Sequence, residues 1–236
     1  GPLLGEWVKH LAGYDAFFVV SALLPLVGAA IASRVPDHHV PVAVTPEEPA
    51  VRTPFVPRGV ILPGISLSLV NVGYGTVAGF IVLHMAAEGV PQGTAVFTAF
   101  AASVVFGRVV LGSLPDRLGP VRMTLVAGGA EAIGLGTLAL ASSLPVALAG
   151  AAIMGASFSL LFPSLALIAL SRTPDDQRGA ALGAVTAFFD IGVGLGAPLA
   201  GLAVALSGGY PAAFWFAALC AAGGGLTMIA LLRPRS

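Results

Sequence analysis

Charge is what this sequence has least of. Only 9% of its 236 residues are Asp, Glu, Lys or Arg, whereas a soluble domain carries about a quarter. So thin a polar set cannot cover a water-facing surface, and surface-to-volume scaling forbids hiding the remainder in one core. With hydrophobic residues at 57%, much of the chain needs hydrocarbon around it. Lysine occurs once, at Lys9, outside every long apolar run, which removes the late-helix lysine that a retinal pump requires. Cysteine also occurs once, as Cys220 in an apolar run, which excludes an intrachain disulfide and a thiolate metal cluster. His10, His38, His39 and His84 fall in loops or at span edges, with no Cys-His or His-Glu motif. No Ser-Lys or Ser-His dyad sits at membrane depth, so no enzyme, metal site or cofactor is expected. A net charge of zero gives nucleic acid no electrostatic footprint to bind.

Glycine and proline are abundant, at 31 and 18 residues. Membrane helices tolerate both, because neighbouring segments re-satisfy the backbone and small residues permit close packing. A run of about 20 apolar residues crosses the hydrocarbon layer. Seven such runs are expected near residues 16–33, 60–83, 94–114, 123–141, 146–170, 180–206 and 212–232. The fifth contains Pro163 and the sixth Pro198, each expected to kink its helix by removing a hydrogen bond. Residues 34–58 read RVPDHHVPVAVTPEEPAVRTPFVPR. Dense in proline and charge and without an apolar period, they form an extended linker outside the membrane.

The basic residues fix an orientation. Arg34, Arg52 and Arg58 lie in the linker, Arg117 and Arg122 after the third span, Arg172 and Arg178 after the fifth, Arg233 and Arg235 in the tail. If each span crosses once, all lie on one side, and the other side has only Lys9. Positive-inside bias puts the linker and the C-terminus in the cytoplasm.

The chain also repeats itself. Pro2, Gly5, Gly13, Tyr14, Ala16 and Phe18 match Pro198, Gly201, Gly209, Tyr210, Ala212 and Phe214 at a constant offset of 196 residues. Parallel repeats of this kind are one plan for secondary transporters. If one unit is about 196 residues and six spans, residues 1–33 are expected to be the end of a preceding unit.

The turn after the third span carries Gly112-x-x-x-Asp116-Arg117-x-Gly119-x-x-Arg122. It resembles the cytoplasmic signature of the major facilitator superfamily, found between helices two and three and again between eight and nine. Gly196-Ala-Pro198-x-x-Gly201 looks like the C-half form of the family's glycine-proline signature, and Gly1-Pro2-x-x-Gly5 like the N-half original. The resemblance implies an all-α integral membrane fold with about seven transmembrane helices, six of them forming the C-terminal bundle. Residues 1–33 would be the tail of helix five and helix six, 34–58 the interdomain linker, and 59–236 helices seven to twelve. Helices one to four and most of five would lie outside this chain, leaving an N-terminal bundle as its missing partner. The family moves small solutes across membranes by alternating access. The chain is similar to bacterial drug or sugar exporters of the arabinose-efflux-like kind, which work in the inner membrane, commonly outward against proton entry. Solute, protons and the lipid bilayer are the partners so implied. The turn has Pro120 where many members carry a basic residue. A non-transporting seven-helix receptor or scaffold is the alternative class.

Within the spans, ionisable residues mark functional candidates. Asp190 falls near mid-bilayer, where a carboxylate must face a cavity, pair or take up a proton, and the last suits proton coupling. In the family arrangement its helix is the eleventh, one that can line the central cavity. Glu131 is also deep, and Arg108 is its expected structural partner, with a proton relay as the other reading. Arg108 lies two turns before Asp116 and is expected to snorkel or pair. Asp116 can accept hydrogen bonds from Arg117, Arg108 or a helix N-terminus, forming a polar lock on the cytoplasmic side; a merely solvated turn is the simpler reading. Asn71 and Tyr74 are three apart and share a helix face, which suits hydrogen bonding to a solute. Phe100, Phe158, Phe188 and Phe189 either wall a cavity or pack singly. Gly192, Gly194, Gly196 and Gly201 fit close packing and bending, not a phosphate loop, since no Lys-Ser/Thr follows them.

Overall fold

The computed structural model describes residues 2–34 and 55–232, with the side chains of 2–10, 12, 32 and 232 left aside. Linker residues 35–54 and tail residues 233–236 therefore lie outside the described residues, including Arg52, Arg233, Arg235, His38 and His39.

The described chain is helical. Seven long helices occur: α1 (Pro2–Ala32), α2 (Arg58–Ala87), α3 (Gly93–Leu111), α5 (Pro120–Ala139), α6 (Leu144–Ser171), α7 (Arg178–Ser207) and α8 (Pro211–Thr227). Two short ones join them, α4 (Leu114–Leu118) between α3 and α5, and α9 (Ile229–Leu232) after α8. Six helical stretches among the described residues are long and apolar enough to cross a membrane, and α5 is not one of them. Its 20 residues include Arg122 and Glu131 and four glycines, which dilute its hydropathy although it packs between α6 and α8.

Contacts divide the chain into two units, Gly1–Arg52 and Thr53–Ser236. The first holds α1, which is two helices joined at Gly13 (φ 78°, ψ −179°). Only glycine takes that conformation without steric cost. The sequence repeat pairs Gly13 with Gly209, but the left-handed residue of the second copy is Gly208 (φ 77°) at the end of α7. Both copies use a glycine of positive φ, one residue apart in register and with different ψ (−179° and 12°).

In the second unit α2 is the hub, packing against α3, α5, α6, α7 and α8. Its core has two layers. One gathers Ile81, Met85, Phe100, Leu138, Met154 and Phe214. The other gathers Val60, Leu67, Met123, Leu161, Leu165 and Met228. Small residues allow the helices to close in. A Cβ on Gly192 would collide with the Ser68 carbonyl and stand 2.7 Å from Asn71 Cβ, while one on Gly196 would stand 2.8 Å from the Val72 carbonyl oxygen. From the opposite side, a Cβ on Gly75 would stand 2.7 Å from the Val193 carbonyl oxygen. Backbones meet there, the packing expected of small residues four apart in membrane helices. Three side-chain hydrogen bonds tie α2 to its neighbours: Ser66 Oγ donates to the Gly224 carbonyl at 2.7 Å, Ser68 Oγ to the Phe188 carbonyl at 2.6 Å, and His84 Nε2 to the Leu138 carbonyl at 2.9 Å. Helix α6 runs unbroken through Pro163 and α7 through Pro198, so neither proline ends its helix.

Candidate functional site

Helices α3, α6 and α7 enclose an open cavity of about 630 Å³, within the usual range of small-molecule sites. Its wall is apolar except for Arg108 from α3 and Thr186 and Asp190 from α7. Asp190 comes twelve residues after the start of α7 at Arg178, so it stands roughly 18 Å along the helix from that end. Arg108 comes three residues before the end of α3 at Leu111, roughly 5 Å from it. One charge is deep and the other is near the mouth. Both side chains are exposed. They do not pair with each other, since Arg178–Asp175 is the sole ion pair among the described residues.

The aromatic wall is continuous. Phe158 stacks on Tyr74 (ring centroids 5.4 Å) and meets Phe100 edge-on at 5.9 Å. Phe189 lies 6.5 Å from Phe158 and 5.6 Å from Phe162, edge-on to the latter. Such offset and T-shaped contacts are favoured by the ring quadrupoles. Phe188 stands apart: it fills the space that a side chain on Gly64 of α2 would need. Adjacent residues on a helix point about 100° apart, so Phe188 and Phe189 could not share one wall.

Asn71 and Tyr74 face different neighbours. Asn71 is 1% exposed, its Nδ2 donates to the Leu67 carbonyl at 2.7 Å, and it lies against Gly192 of α7. Tyr74 leans the other way, onto Phe100 and Phe158. Neither lines the Asp190 cavity, though Tyr74 backs Phe158, which does.

Glu131 and Arg108 are not brought together. Glu131 is fully buried, and both carboxyl oxygens lack a hydrogen-bond partner. It points at α2, where a Cβ on Gly73 would stand 2.7 Å from Oε1. The reason is topological: α3 and α5 each pack on α6 rather than on one another. His84 stands in the last turn of α2, at the span edge where it is expected, and it is buried there. It is 1% exposed, with Nε2 hydrogen-bonded to the Leu138 carbonyl at 2.9 Å. Its ring lies 5.1 Å from that of Phe214. A carbonyl only accepts, so Nε2 carries the proton.

The glycine-rich turn contains a helix that the sequence reading omitted. Leu114–Leu118 forms α4, with Pro115 in its first turn. Gly119 (φ 82°, ψ 141°) then reverses the chain into α5. Pro120 begins α5, where its missing N–H costs nothing and its fixed φ is favourable, which gives a physical reason for proline at this place. A Cβ on Gly112 would collide with the Arg108 carbonyl. Asp116, Arg117 and Arg122 are exposed, and their side chains make no hydrogen bond or ion pair among the described residues. At the same end of the helices, Arg58 and Arg172 border a second cavity of about 850 Å³ with Ser171 and Leu231. The unpaired arginines therefore gather at one end, as their spacing in sequence requires.

With this geometry in place, comparison with known proteins decides the family. The family model for the Major Facilitator Superfamily matches residues 64–236. The chain belongs to the Major Facilitator Superfamily. It is 36% identical over 200 residues to an MFS-type transporter of Pseudomonas aeruginosa strain LESB58, covering 85% of this chain and 46% of that protein. It is 39% identical over 165 residues to an MFS-type transporter of Burkholderia mallei strain SAVP1, covering 70% of this chain and 40% of that protein. The chain thus spans about half the length of the curated relatives it matches. Membership in the superfamily supports a membrane-embedded, non-enzymatic protein.

Proposed function

We propose that the chain is the C-terminal half, with the connecting linker and the preceding helix, of a secondary transporter that moves a small solute by alternating access. In this reading α2, α3, α5, α6, α7 and α8 are helices seven to twelve. The carrier is a bacterial inner-membrane exporter of the drug or sugar kind that couples efflux to proton entry, with the linker and C-terminus in the cytoplasm. The carrying observation is the cavity between α3, α6 and α7, apolar-walled and bearing an unpaired carboxylate at depth. A carboxylate so placed is costly unless a ligand, a cation or a proton meets it. The length of the relatives supports a second bundle that completes the route. Asp116, Arg117 and Arg122, without partners in this half, then close a cytoplasmic gate against that bundle. Gly112 and Gly119 shape the turn that presents them.

The test is flux. In proteoliposomes the 236-residue chain alone gives no saturable uptake, whereas the full-length carrier does. In the full-length carrier Asp190→Asn abolishes proton-driven flux. Saturable uptake by the half alone defeats the two-bundle reading, and undiminished coupling in Asp190→Asn removes that residue from the mechanism.

A further inference from the structure

The Asp190 cavity holds two opposite charges that ignore each other. Arg108 and Asp190 both line it and form no ion pair, and Phe158, Phe162, Phe189 and Thr186 line the same cavity. Both charges are exposed at the cavity surface, so a solute that displaces water from so apolar a wall must itself supply the complementary groups. A cationic solute would satisfy Asp190 while adding charge of the same sign as Arg108. An anionic solute would do the reverse, and a neutral one would satisfy neither. A solute carrying both charges meets both residues and brings no net charge into the site. The rings of Phe158, Phe162 and Phe189 offer an aromatic or broad apolar body a surface to lie on.

We infer that this cavity selects zwitterionic solutes with an apolar, preferably aromatic, body, the acidic group held by Arg108 and the basic group by Asp190. The inference rests on the transport reading above and adds the solute's chemical class. Arg108 stands near the basic end of the helices and Asp190 deeper, so the bound solute lies along the helices with its cationic group innermost. Arg108 and Asp190 are binding residues in this scheme; Thr186 lines the same wall, its hydroxyl donating to the Leu182 carbonyl at 3.0 Å.

Four probes on one skeleton test the class: phenylalanine (both charges), phenethylamine (cation), 3-phenylpropionate (anion) and 3-phenylpropanol (neutral). Binding to the purified full-length carrier in nanodiscs is followed by calorimetry and by ligand-dependent thermal shift. Phenylalanine is expected to bind at least about tenfold more tightly than each of the others, since each lost charge contact is worth a decade or more. Arg108→Gln is expected to erase its advantage over phenethylamine, and Asp190→Asn its advantage over 3-phenylpropionate. Arg108→Lys and Asp190→Glu keep the charges and retain the order of the probes, which separates loss of charge from loss of fold. Equal or tighter binding of a singly charged or neutral probe, or no binding of phenylalanine, overturns the inference. If a singly charged probe wins and Asp190→Asn still removes its binding, the cavity remains the solute site and only the zwitterionic class falls. If neither substitution changes the binding of any probe, the site assignment falls with it.

Discussion

Replacing Gly192 by alanine should weaken the bundle, while the same change two residues later should not. On Gly192 a methyl group would meet the Ser68 carbonyl oxygen, the Asn71 Cβ at 2.7 Å and the Ser68 Cα at 2.8 Å. These are chiefly backbone atoms of α2, so relief requires the two helices to separate by the better part of an ångström. Overpacking of this kind costs about 1–3 kcal/mol. Helix propensity returns up to about 1 kcal/mol on going from glycine to alanine. On Gly194 nothing lies within 4 Å of the new Cβ, so only the propensity gain applies. The helix and the substitution are the same, so the difference between the variants isolates the overpacking cost: about 1–3 kcal/mol in favour of Gly194→Ala. Gly196→Ala, with a 2.8 Å approach to the Val72 carbonyl oxygen, should behave like Gly192→Ala. Reversible unfolding of the chain in mixed micelles, followed by circular dichroism, reads the difference. If Gly192→Ala proves as stable as Gly194→Ala, close α2–α7 contact is not what holds this bundle.

Other outcomes follow from single contacts. Tyr74→Phe should leave stability within about 0.5 kcal/mol of the parent, since it keeps the stacking surface on Phe158, while Tyr74→Ala should cost about 2–4 kcal/mol; chemical unfolding separates the two. Glu131→Met removes a fully buried carboxyl with two unsatisfied oxygens and should be neutral or stabilising by about 1–3 kcal/mol, whereas Glu131→Lys should prevent folding, read as loss of monodisperse material on gel filtration. Ser66→Ala breaks the α2–α8 hydrogen bond and should cost about 0.5–1 kcal/mol, measured in the same unfolding assay. In a Cys220→Ala background, Glu88→Cys should react with an impermeant maleimide from outside intact cells, and Arg117→Cys only after permeabilisation; the opposite pattern would invert the orientation.

The sequence by itself settled the solvent. So few charges among such long apolar runs leave hydrocarbon as the surroundings, and the residues Arg58, Arg117, Arg122, Arg172 and Arg178 marked shared ends, because a span forces its polar flanks to alternate sides. It also pointed to the glycines of α7, since residues four apart lie on one helix face whatever the fold. The family was legible in the Gly112–Arg122 spacing, as the match over residues 64–236 bears out. What the sequence could not supply was which helix lies against which. An apolar helix in a membrane buries nothing distinctive on any face, so periodicity gives no azimuth. Only the packed bundle could bring Arg108 to the same cavity as Asp190 and away from Glu131, turn Asn71 and Tyr74 apart, and separate Phe188 from Phe189. Those outcomes depend on long-range contacts among α2, α3, α5, α6 and α7, and no local pattern in the chain encodes them.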